Sequence, residues 1–183
     1  MTSAAISVRA LRALSAGLLA LGMLAACTPE PKPAPTPTKT ALFSSDAEAF
    51  KAAEETYRAY TDALNNVDTS DPHTFESVYE FGSGTFKSGD KKNLSWMHAE
   101  KLKLGGETRV TRMSGVSTAD NRSTVRVLAC LDVSTVTLVD TEGTSRVNPT
   151  RPDKYGLSVT LKESHGRLTI DSAEVAQDQT CAE

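Results

Sequence analysis

From Ser45 onward the apolar positions recur every three or four residues: Phe50, Ala53, Tyr57, Tyr60, Leu64 and Val67. Lys51, Glu55, Arg58 and Asp62 fall on the opposite side. An α-helix needs this period to bury one stripe, so a helix is predicted over 45–67. Ser45 with Glu48 three residues later has the spacing of a capping box. Asp71 followed by Pro72 marks a second, shorter helix, because proline at the first helical position gives up no needed N–H. Its inner side would hold Phe75, Val78 and Tyr79, and Gly82-Ser83-Gly84 would end it. A third helix is predicted over 90–103, opened by Asp90, capped by Ser88 or Gly89 and stopped by Gly105-Gly106. On its wheel Leu94, Met97, His98, Lys101 and Leu102 share one face, while Trp96 stands on the other with Lys92 and Lys103.

After Gly106 the period becomes two. Residues 107–117 read as a strand, and residues 123–134 read as a stronger one. There Val125, Val127, Ala129, Leu131 and Val133 alternate with Arg126, Leu128, Cys130, Asp132 and Ser134. That strand is expected to continue, bent, through Val136 and Leu138 to Val139, before a turn at Asp140-Thr141-Glu142-Gly143. Over 154–162, Tyr155, Leu157, Val159 and Leu161 share a face. Ser164-His165-Gly166-Arg167 reads as a hairpin turn leading to Leu168 and Ile170, and parity carries Glu174 to their side. Each strand has one apolar face, which the helices must cover. The fold class is therefore α+β: three N-terminal helices on a curved antiparallel sheet of four to five strands, a cone-like, cystatin-like roll.

The segment before residue 40 has a different character. Arg9 and Arg12 precede a run, Ala13 to Leu24, that is apolar apart from Ser15, and Ala25-Ala26-Cys27 follows. This is the layout of a secretory signal peptide. Leu24-Ala25-Ala26-Cys27 resembles the lipobox of bacterial lipoproteins, in which the cysteine is acylated and becomes the first mature residue. An uncleaved anchor would need roughly 20 apolar residues. Two acyl chains hold a protein stably where one holds it marginally. The expectation is a signal peptide over 1–26, lipidation of Cys27, and residence on the outer face of the cytoplasmic membrane. Five prolines between residues 28 and 40 disfavour helix and sheet and favour an extended spacer of roughly 40 Å. The globular domain is expected over 41–183.

Losing residues 1–26 moves the formal net charge from −3 to about −5. A mildly acidic surface argues against a nucleic-acid partner. Cys130 and Cys181 remain as one pair in an exported setting, where a disulfide is the default. Closing a loop of about 50 residues is worth roughly 4 kcal/mol of chain entropy. The rival readings are a buried thiol beside a loose tail thiol, or a metal site, for which ligands at the right spacing are missing.

The element order resembles the nuclear transport factor 2-like, or SnoaL-like, cone. Closer still is a resemblance to uncharacterised actinobacterial lipoproteins carrying that fold. It rests on Tyr57-Arg58-Ala59-Tyr60-Thr61-Asp62-Ala63-Leu64, Asp71-Pro72, Leu94-Ser95-Trp96-Met97-His98-Ala99 and Cys130-Leu131-Asp132-Val133-Ser134. The resemblance implies the fold and a lipid anchor, and it transfers no catalytic residues.

Cone folds of this kind enclose a pocket between helices and sheet, and some relatives are isomerases or cyclases. Such chemistry needs an acid or base inside. The two best strands offer none: Asp132 falls on the outer face, and Glu174 sits at a strand end. Tyr57, Tyr60, His98 and Tyr155 are the candidate polar lining of a small pocket, and Trp96 is a candidate surface anchor. No Gly-x-Ser-x-Gly, phosphate-loop, dinucleotide or His-Glu-x-x-His motif is present. No catalytic residue, metal or cofactor is assigned. The expected function is a non-enzymatic, membrane-tethered module binding a small apolar ligand or an envelope protein. The alternatives are an isomerase or lyase on the same fold, or an accessory domain to cell-wall machinery.

Overall fold

The first helix begins at the serine its sequence nominates. Ser45 is extended (φ −145, ψ 162), its Oγ accepts from the Glu48 N–H at 3.2 Å, and α1 follows over Asp46–Asn65. Glu48 in turn accepts from Ser44 N and Ser44 Oγ, at 2.8 and 2.7 Å, one residue earlier than the capping-box pattern places it. The computed structural model describes residues 41–176 and Cys181, so the expected signal peptide, Cys27 and the proline-rich stalk lie outside the described residues. Asp71 caps a 3-10 turn, Pro72–Phe75, by accepting from His73 N at 3.0 Å, and the turn runs into a single helical turn, α2, Glu76–Tyr79.

The next helix, α3, spans Gly84–Ala99. It starts six residues before the position expected from sequence, and Gly82-Ser83-Gly84 begins it although the same residues read as a stop. Ser83 takes the N-cap conformation (φ −133, ψ 166) without a side-chain cap bond. Tertiary contact replaces that bond: Ser83 N donates to Ile170 O, and Ile170 N donates to Phe81 O, each at 2.8 Å. Gly89 therefore lies inside the helix, and Lys101 to Lys103 lie beyond it.

Four strands, β2 (Arg109–Ala119), β3 (Thr124–Asp132), β5 (Lys154–Ser164) and β6 (Arg167–Val175), form an antiparallel sheet in the order β2-β3-β5-β6. The segment expected to extend β3 is separate. As β4, Thr137–Val139, it pairs antiparallel with β1, Lys103–Gly105. Register sets the inner face: Val125 faces Leu161, Val127 faces Val159, and Leu131 faces Tyr155. These β3 residues and their partners Leu161 and Val159 are buried, and α1 seals them with Ala49, Ala53, Tyr57 and Tyr60. Gly115 on β2 lets α1 approach, since a Cβ there would lie 2.5 Å from the Phe50 ring.

One bulge overturns the parity argument for Glu174. Thr160 pairs with Ser172 but Leu161 pairs with Ile170, leaving Asp171 as an extra residue. Parity reverses beyond it, so Glu174 pairs with Ser158 and is exposed, while Ala173 packs against the core.

Candidate functional site

Helix α3 carries Phe86, Asp90, Leu94 and Met97 at spacings of four, four and three, so one carboxylate sits inside its apolar stripe. Across from it are the two α1 tyrosines. Tyr57 and Tyr60 are buried, at 3% and 8% exposure. The Tyr60 hydroxyl donates to Asp90 Oδ1 at 3.2 Å. Its ring meets Phe86 edge-on at 5.3 Å and Tyr57 at 5.9 Å. Asp90 Oδ2 is buried and has no hydrogen-bond partner among the described residues.

The electrostatics follow from that burial. Desolvation pushes the Asp90 carboxyl up to about 6, against the lowering effect of the Tyr60 hydrogen bond. The Tyr57 and Tyr60 phenols are raised, chiefly by burial, with Asp90 and Tyr155 adding to it. Tyr155, half-buried on β5, is also raised by burial, and Arg151 opposes that shift. The structure thus gathers Tyr57, Tyr60 and Tyr155 with Asp90, an acid that the sequence pattern assigns to a helix start. Near neutral pH such a carboxyl exists in both protonation states, as a general acid or base requires.

His98 is elsewhere. It lies eight residues beyond Asp90, about 12 Å along the same helix. The residue is exposed, with Nδ1 2.8 Å from Thr69 O and Phe75 edge-on at 6.4 Å. Trp96 is 44% exposed on the outer side of α3. Cys130 and Cys181 form a disulfide with a Cα–Cα distance of 5.2 Å. It lies on the outer face of the sheet, with Gly156 beneath the Cys181 Sγ and Arg112 Nη2 3.6 Å from the Cys130 Sγ.

The hollows differ in kind. An open groove of about 760 Å³ runs between the second half of α1 and the start of β2. Arg58, Asp62, Asn66, Glu107 and Arg109 line it, and Asn65 pins its floor by exchanging two 2.9 Å hydrogen bonds with the Thr108 backbone. A crevice of about 480 Å³ lies around His98, and an apolar one of only about 140 Å³ lies among Leu64, Val67, Leu94, Met97, Leu104 and Val136. Among the described residues, no group of three or more His, Cys, Asp or Glu is placed to hold a metal ion. No described helix is long and apolar enough to cross a membrane.

No protein-family model matches the chain, and no curated protein matches it in sequence. Solved structures do resemble it. The intermembrane-space region of the chloroplast protein ARC6 aligns with 70% of this chain and 97% of its own, at 13% identity and a TM-score of 0.52. Aln2 from a Streptomyces species aligns over 74% and 94% of the two chains, at 14% identity and a TM-score of 0.44. VirB8 from Agrobacterium tumefaciens aligns over 75% and 97%, at 11% identity and 0.41. At 13% identity the likeness to the ARC6 region is one of fold alone: helices packed on antiparallel sheets, the α+β arrangement expected from the sequence.

Proposed function

We propose that this chain is an exported lipoprotein, held by acylated Cys27 on the outer face of the cytoplasmic membrane, whose nuclear transport factor 2-like domain is a non-enzymatic interaction module for an envelope protein. The contrast between its hollows carries this reading. The apolar crevice, about 140 Å³, is far below the roughly 300 Å³ at which small-ligand pockets begin, whereas the groove of about 760 Å³ is open and polar. Mixed charges, Arg58 and Arg109 against Asp62 and Glu107, suit a protein surface more than an apolar small molecule.

A photo-crosslinker at Asn66, in the groove, should join the chain to one envelope protein, while the same group at Gly143, in an exposed turn, should not. Equal labelling from both positions would remove the groove from the proposal. Cys27→Ser should release the chain from the membrane fraction, and persistent membrane association would refute the lipid anchor.

The Asp90–Tyr60 pair favours a second reading, an isomerase or lyase on the same fold. Chemistry there would need substrate within hydrogen-bond reach of Asp90 Oδ2. A small molecule co-purifying with the wild type and absent from Asp90→Asn would move the balance to that reading.

A further inference from the structure

Three basic side chains meet where α3 ends. The helix closes in a Schellman motif: Lys101 N donates to His98 O at 3.0 Å and Leu102 N donates to Met97 O at 2.9 Å. Leu102 is buried beneath the turn, at 3% exposure. Lys101 occupies the left-handed position, φ 54. Glycine avoids the Cβ clash that other residues meet in that conformation. Here the position carries an exposed ammonium instead.

The neighbours of Lys101 are arranged around the crevice of about 480 Å³, which Thr69, Ser70, His98 and Lys103 also line. Thr69 O can only accept, so the 2.8 Å contact assigns the hydrogen to His98 Nδ1 and leaves Nε2 outside that contact. Lys101 and Lys103 form no ion pair among the described residues. Asp68, the one acid of the crevice, stays charged: its Oδ1 accepts from Ser70 N at 2.8 Å and Ser70 Oγ at 2.7 Å, Lys103 attracts it as well, and it offsets one of the two lysines. The crevice keeps a cationic excess.

We infer that this crevice binds a phosphate group, held by the ammoniums of Lys101 and Lys103 with the Nε2 of His98 beside them. Compact ammoniums beside a polar hollow match a small phosphate oxyanion. Two sources share that chemistry, a free phosphate ester and the headgroup of an anionic phospholipid. The site is separate from the groove between α1 and β2 and stands without the partner proposed for it.

The test follows the His98 ring signals of the full chain in neutral detergent by NMR while inorganic phosphate is added. A saturable shift at Nε2 is expected. Lys101→Gly is the decisive variant, because glycine suits the left-handed backbone. It should raise Tm while weakening phosphate binding about tenfold, the effect of losing one charge-assisted contact. A purely structural lysine would give the first change without the second. In a second arm, phosphatidylglycerol nanodiscs are compared with phosphatidylcholine ones. A shift with phosphatidylglycerol at lower concentration than phosphate assigns the headgroup, and a shift with phosphate alone assigns a free ester. No shift with either probe, or unchanged binding in Lys101→Gly, overturns the proposal.

Discussion

Helices α1 and α3 share the Tyr60–Asp90 hydrogen bond but are built by different means. The first has a side-chain cap at Ser45, a regular apolar stripe whose one buried threonine, Thr61, donates back to Tyr57 O, and two fully buried alanines, Ala49 and Ala53, that bring it down onto the sheet. The second has no side-chain cap bond, a glycine at position 89 in its interior and a carboxylate in its stripe. Its start is held by β6, through the backbone bonds of Ser83 and Ile170. Helix α1 carries its own instructions, whereas α3 is completed by the sheet it packs against. Helical stability comes mostly from packing, so a helix poor in local signals can still be regular once its neighbours exist.

Three substitutions test that contrast, in descending order of effect. Gly115→Ala should attack the α1 side, because its new Cβ would lie 2.5 Å from the Phe50 ring and push that residue off the sheet. A loss of about 1–3 kcal/mol is expected, read as a lower urea midpoint. A neutral result would mean that α1 has slack where the contacts show none.

Asp90→Asn should reverse the polar intrusion on α3. The folded carboxyl titrates at about 6, above its ordinary 3.8. The folded state thus holds a proton in the window between those values, where the unfolded chain has released it. This contribution to stability is complete below the lower value and is lost as pH rises through the upper one. The variant should lack that loss. It should be more stable than the parent at pH 8 by about 1 kcal/mol, after allowing for solvent screening, with the difference vanishing in acid. A parallel pH dependence in both proteins would exclude burial as the cause of the shift.

Gly89→Ala should strengthen α3 locally, since nothing lies within 4 Å of the added Cβ. About 0.5–1 kcal/mol of stabilisation is expected, together with slower amide exchange around it. Destabilisation would show that the glycine has a partner.

The same contrast explains what can be read from the chain. Helix α1, the alternation of β3 and the hairpin joining β5 to β6 are local signals, so periodicity and turn residues find them. The start of α3 is not local: Gly82-Ser83-Gly84 reads as a stop unless Ile170, far along the chain, is known to accept from Ser83. That displacement hides Asp90, which belongs to a stripe beginning at Phe86 once the helix is extended backwards. Parity misplaces Glu174 because a bulge leaves no clear mark in an alternating sequence. Likewise β4 needs β1 as a partner, and the two are joined only by pairing across more than thirty residues. Tyr57, Tyr60 and Tyr155 are legible as inner-face residues, but which of them meets an acid depends on a helix register that the glycines obscure.

The disulfide has a consequence for survival among proteases. The bridge from Cys130 to Cys181 encloses β4, β5 and β6, together with the largely exposed stretch of residues 141–150. A cut in that stretch would break the backbone without releasing either piece. The downstream fragment, carrying β5 and β6, would remain covalently fastened to β3 beside it and stay in register. This exposed segment is thus one whose cleavage does not take the sheet apart.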